Sequence, residues 1–333
     1  MGRLSPVIRR LLLLSALLAT GCTRMRLVLD FVPATDELTE TEVMRDDGVG
    51  SSGAKIALVD LSGLIVDARR QLPWPGENPV ARFTESLNKA ARDRGVKALI
   101  VRINSPGGTV TASDVLYQEI TQFKQRTHKP VVILMGDVAA SGGYYVACAG
   151  DEIIAHPTTV TGSIGVIMQT FNFAQGMRKI GIKADAITSG PNKAMGSPFE
   201  PMPPEHRALL QGLVDEFYER FRSVVVAARP GLAQEDLRWI TDGRVVSGKK
   251  AAEVGLVDGL GSLRDAFEAA RSRAGLARAR LVKYHRPLEY VGSAYAWTPT
   301  ADSGTRLSLL QLNLGGYPFD RSGFYYLWDP GRW

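Results

Sequence analysis

Between residues 55 and 168, short and almost wholly apolar runs alternate with amphipathic stretches. The runs are KIALVDLSG (55–63), VKALIVRIN (96–104), PVVILMG (130–136), DEIIAH (151–156) and GSIGVIM (162–168). Apolar spacing between them predicts helices near 79–94 and 111–127, and a short helix after Ser141. Strands that are apolar on both faces belong in a sheet covered on both sides, and strands alternating with helices form βα units around a parallel core. The predicted fold class is therefore α/β with a largely parallel core sheet.

Further along, Leu209, Leu210, Leu213, Phe217, Phe221, Val224 and Val225 recur at helical spacing and predict a long helix over 204–228. Such a stripe serves as core or as a contact between subunits. A last helix is expected to end near Gly275. The 276–333 tail is richer in Gly, Pro, Tyr and Trp and carries no chemical signal of its own.

The first residues belong to a different system. Arg3, Arg9 and Arg10 precede the apolar run 11–18, which is well short of the ~20 residues needed to span a membrane, and small residues then lead to Cys22. This is the order of a secretory signal. Residues 1–22 hold three arginines and no acid, so their removal lowers the formal charge from +6 to +3. Residues 23–54 read as a tether, acidic and Gly/Ser-rich at its end, which places the folded domain at 55–275. The remaining basic residues cluster at 264–286 without the interleaved aromatics of a nucleic-acid stripe, leaving a solvated face or contact with anionic lipid headgroups as their roles.

Two cysteines are present. With Cys22 at the processing site, Cys148 has no partner within the chain and reads as a small buried hydrophobe. HExxH, paired CxxC and P-loop patterns are missing from the sequence, and no GxGxxG lies between a strand and a helix, so no metal or nucleotide cofactor is implied and nucleophilic catalysis leads.

A serine hydroxyl attacks only if a base takes its proton and donors stabilise the oxyanion. In GDVAASGGYYVA (136–147), Ser141 ends a strand and opens a helix. The NSPGG turn (104–108) ends another strand, so in a parallel sheet both glycine turns reach one edge. Gly108 and Gly142 are the candidate oxyanion donors. None of the four histidines has a context that marks it as the base. Lys193, in SGPNKAMGSP (189–198), becomes a candidate only where burial disfavours its charge.

In order, INSPGG, GDVAASGGYYVA, TGSIGV, SGPNKAMGSP and DGRVVSGKKAAEVGLVDGLG (242–261) resemble the signal peptide peptidase A family of serine proteases, over about Lys55 to Gly275. The resemblance implies a Clp-protease/crotonase-like fold, Ser141 as nucleophile, Lys193 as general base, Ser163 bonded to the lysine amine and Gly108 as an oxyanion donor. It also implies apolar extended peptides, such as signal-peptide remnants, as substrates, and a homo-oligomer. The Ala-Thr-Gly-Cys ending resembles a bacterial lipoprotein signal, which implies a lipid on Cys22 and a catalytic domain on the exported side of the membrane. A catalytically silent, membrane-tethered scaffold and a crotonase-like acyl-CoA enzyme are the rival expectations.

Overall fold

The computed structural model describes residues 37–68, 77–287, 289, 291–296 and 323–328. The signal segment and Cys22 lie outside them. In chain order the strands are β1 (Thr39–Arg45), β2 (Lys55–Ser62), β3 (Val96–Ser105), β4 (Gly107–Thr109), β5 (Val131–Ala140), β6 (Glu152–Ala155), β7 (Val160–Gly162), β8 (Ile167–Met168), β9 (Val245–Ser247), β10 (Gly259–Leu260), β11 (Arg280–His285) and β12 (Phe324–Leu327).

The main sheet runs β1-β11-β2-β3-β5-β6-β10, with β7 and β9 branching from the far end of β5. From β11 to β10 every neighbouring pair is parallel, and β7 is parallel to β5. Only β1 and β9 pair antiparallel to this sheet. The α/β class and the largely parallel core follow the alternation of the sequence.

Residue alternation divides the core. Ala57, Val59, Leu99, Val101, Ile133 and Met135 face one layer, with Phe83 and Leu87 of helix Pro79–Arg92 and Leu116, Ile120 and Phe123 of helix Val110–Thr127. Ile56, Leu58, Ala98, Ile100, Val132 and Leu134 face the other, under Leu263, Phe267 and Ala270 of helix Leu263–Arg273. Burial on both faces is the reason these strands are written as unbroken apolar runs.

Local chemistry sets the helix ends. Asn78 accepts hydrogen bonds from the Val80 and Ala81 amides, and Pro79 occupies the first turn, where its missing N–H costs nothing. Helix Val110–Thr127 starts on the Thr109 hydroxyl and stops at His128, which takes a left-handed conformation with φ of 55°. Ser262 and Asp265 form a reciprocal capping box at the start of Leu263–Arg273.

Two boundaries differ from expectation. The stretch expected to be a tether contains β1, whose pairing partner β11 lies beyond residue 275. TETEVMR is a strand because the alternation of its side chains fits one exposed face, and its acids meet bases there: Glu40 with Lys55 at 2.6 Å and Glu42 with Arg280 at 3.5 Å. The sheet therefore closes with a strand from each side of the expected domain.

On the face covered by Leu263–Arg273, three adjacent strands bury a charged cluster. Asp60 of β2 takes a bidentate pair from Arg102 of β3, at 2.7 and 2.9 Å, and a third contact from Lys283 of β11 at 2.7 Å. The same cations reach outward: Arg102 donates to the Ala294 carbonyl at 2.9 Å and Lys283 to that of Ala296. Asp60→Ala would deprive two buried cations of the carboxylate they share. The expected destabilisation is about 3–5 kcal/mol, read from the midpoint of urea unfolding.

Candidate active site

Ser141 lies between the end of β5 and the short helix Gly142–Ala147, with φ of 52° and ψ of −116°. This is a conformation at ease only for glycine, so a serine there stores strain. Neighbouring strands hold it. The Ser141 amide donates to the Gly162 carbonyl at 2.8 Å, and its own carbonyl accepts the first helical bond from Tyr145 at 2.9 Å. The residue is 1% exposed, and among the described residues its Oγ has no hydrogen-bond partner. A buried hydroxyl without a partner is rare in proteins and draws attention to chemistry.

The two glycine turns meet, as two parallel strands ending at one edge require. β3 and β5 stay paired as far as Ser105 and Ala139, across a register shift after Ile103, so NSPGG and ASGG emerge side by side. A Cβ on Gly107, whose φ is +104°, would sit 2.7 Å from the Gly142 nitrogen, and one on Gly108 would sit 1.9 Å from the Ile65 carbonyl oxygen. The main chains approach too closely for any side chain, and this explains both glycines.

Ser163 is also near. β5 and β7 pair through Ala140 and Gly162, so Ser141 and Ser163 are the next residues along two adjacent strands. Ser163 is 7% exposed, has φ of 52°, and donates its amide to the Arg244 carbonyl at 2.6 Å. Two positive-φ serines thus stand together at the strand ends.

Among the described residues Lys193 makes no hydrogen bond to either serine. It is exposed on the turn that follows Gly190, and among the described residues its ammonium makes no hydrogen bond or ion pair. The same stretch of chain carries Phe171, Phe173, Ile180, Ile182, Ile187 and Phe199 exposed to solvent. Cys148 is buried, and burial pushes its thiol up to about 12, which leaves it a packing residue rather than a nucleophile. Among the described residues, no group of three or more His, Cys, Asp or Glu is arranged to hold a metal ion.

Behind the serine helix lies an aromatic cluster that sequence reasoning missed. The Tyr145 ring stacks on Tyr326 with centroids 5.2 Å apart, and Phe221 approaches Tyr326 to 4.7 Å. Tyr145 donates its hydroxyl to Asp114 at 2.5 Å, and Arg220 donates to the same oxygen at 3.0 Å. Burial pushes the Asp114 carboxyl up, but the bonds from Tyr145 and Arg220 outweigh it and hold it below the usual range. Only the run FYYL, β-prone and aromatic, signalled in the sequence that the tail could supply a strand.

Residues 123–277 match the model described as Peptidase family S49. The chain is 37% identical over 226 residues to a protease-named protein of Synechocystis sp., covering 68% of this chain and 76% of that one. It is 34% identical over 245 residues to the chloroplastic serine protease SPPA of Arabidopsis thaliana, covering 72% of this chain but 36% of that longer protein. A ClpP1 mutant from Listeria monocytogenes aligns over 63% of this chain and 93% of its own, at 17% identity and a TM-score of 0.41.

The backbone at residue 141 makes its own test. Ser141→Gly removes a hydroxyl that has no partner among the described residues and relieves the positive φ, so it should stabilise the fold by about 1 kcal/mol, measured as a rise in thermal midpoint.

Proposed function

This chain belongs to peptidase family S49, and from that premise we propose that it is a serine endopeptidase in which Ser141 attacks the scissile carbonyl and Lys193 takes its proton. The observation that carries the reading is the partnerless Ser141 hydroxyl, held at a positive-φ elbow against two glycine turns. Lys193 then protonates the leaving amine and activates the water that releases the acyl group. Gly108 and Gly142 amides receive the developing oxyanion, each worth on the order of 3 kcal/mol by analogy with other proteases. Ser163, beside Ser141, orients the lysine.

Exposure is the obstacle, because Lys193 is exposed while Ser141 is buried, and assembly would bring the two together. The exposed lysine and six exposed large apolar side chains occupy one stretch of chain, 171–199. An apolar surface of that kind is suited to contact with another copy. In this reading the site becomes complete when copies associate and Lys193 is carried to a serine. The substrates are apolar peptides in extended form, signal-peptide remnants among them. A lipid on Cys22 holds the enzyme at the exported face of a membrane; among the described residues no helix is long and apolar enough to cross one.

Purified wild-type protein should cleave an unfolded, apolar-rich peptide, while Ser141→Ala and Lys193→Met, each checked for folding, should lose at least a hundredfold in kcat/KM. Mixing the two inactive variants should restore cleavage if the lysine comes from another copy. Normal turnover by Lys193→Met would move the base elsewhere, and an inert wild type would leave a scaffold. Cys22→Ser should shift the protein from the membrane to the soluble fraction, read by fractionation and immunoblot.

A further inference from the structure

The tail strand β12 occupies an unusual place. It runs antiparallel between β4 and β8, with Tyr326 opposite Gly108, Leu327 opposite Gly107 and Tyr325 opposite both Thr109 and Ile167. β12 is the middle strand of this small sheet, and β4 and β8 pair with it rather than with each other. Without it they would be two facing edges of a slot, the form in which proteins capture extended peptides.

Hydrogen bonding orients the slot. On its far side, β4 gives the Gly107 carbonyl to the Ile65 amide and the Thr109 amide to the Ile65 carbonyl, both at 2.9 Å. Strand alternation therefore turns the Gly108 N–H and C=O toward Tyr326. The Trp328 amide donates to the Pro106 carbonyl at 2.9 Å, fixing the register one pair further on. The Tyr326 carbonyl oxygen lies against both glycine turns. An added Cβ would meet it at 2.0 Å on Gly107 and at 3.1 Å on Gly142.

The side chain is held as closely as the backbone. Tyr326 is fully buried, packed against Tyr145 and Phe221, and its hydroxyl donates to the Phe217 carbonyl at 2.7 Å. Phe324, two residues back on the same face, meets Phe217 edge-on at 5.1 Å.

We propose that Gly323–Trp328 is a built-in pseudosubstrate: it fills the enzyme's own peptide groove, with Tyr326 in the side-chain pocket of the residue whose carbonyl faces Gly108 and Gly142. The proposal rests on the serine-peptidase reading of Ser141. It assigns the pocket formed by Tyr145, Phe217 and Phe221 to an aromatic residue on the acyl side of the cleaved bond. The Phe217 carbonyl accepts from a phenol and finds no donor on a phenylalanine, so tyrosine is preferred there. The tail must leave before a substrate can enter.

The test uses the full chain. Tyr326→Asp places a charge that the aromatic pocket cannot accept, and should raise kcat/KM for an apolar peptide at least fivefold. The synthetic peptide GFYYLW should inhibit that variant competitively, at least tenfold more strongly than it inhibits wild type. Binding separates this proposal from the catalytic one. By fluorescence anisotropy, labelled GFYYLW should bind Ser141→Ala/Tyr326→Asp at least tenfold more tightly than Ser141→Ala, whether or not either parent cleaves anything. If Tyr326→Asp does not fold, Tyr326→Phe, which loses only the hydroxyl, is read instead, with an expected gain of about fivefold in both assays. A folded variant with unchanged or lower kcat/KM and no gain in peptide binding would overturn the proposal and make β12 a structural strand.

Discussion

The amide of Ser141, donated to the Gly162 carbonyl, fixes the geometry from which the rest of the site follows. It locks the end of β5 to the end of β7 and turns the chain sharply into a helix at a φ that serine tolerates poorly. Strain of this kind survives only where its surroundings overdetermine it. Here they do: parallel neighbours hold β5 on both sides, and the Gly107–Gly108 turn presses main chain against main chain. The sheet holds the serine where it would not remain by itself.

Much of this was legible in the sequence, for reasons that are local. Helices 79–92 and 204–228 carry their apolar stripe and their proline starts within a few turns, and the parallel strands display double-sided burial as continuous apolar runs. The glycine turns were readable because only glycine permits such close approach, and their meeting followed from parallel strands ending at one edge. Ser163 and Lys193 were different. Nothing in GSIG or GPNK taken alone distinguishes them from ordinary turn residues, and it was the order of five motifs that implied a role for Ser163 and raised Lys193 above a conditional candidate.

What escaped notice was non-local. β1 looked like a tether because its acids dominate its composition, while the bases that complement them come from Lys55 and from Arg280, more than two hundred residues away. The aromatic pocket is assembled from helix 142–147, helix 204–228 and the tail, three segments with no common periodicity. Pairing between distant segments leaves no pattern within any one of them.

The buried cluster of Asp60, Arg102 and Lys283 has a consequence for the tail as well as for the sheet. By reaching the carbonyls of Ala294 and Ala296, its two cations secure the tail to the sheet well ahead of β12. Whatever happens at β12, the strand remains leashed to the molecule whose groove it fits. A leashed occupant is insensitive to dilution. The same fraction of molecules would be closed at one copy per cell as at thousands, and opening would depend on what competes for the groove, not on how much enzyme is made.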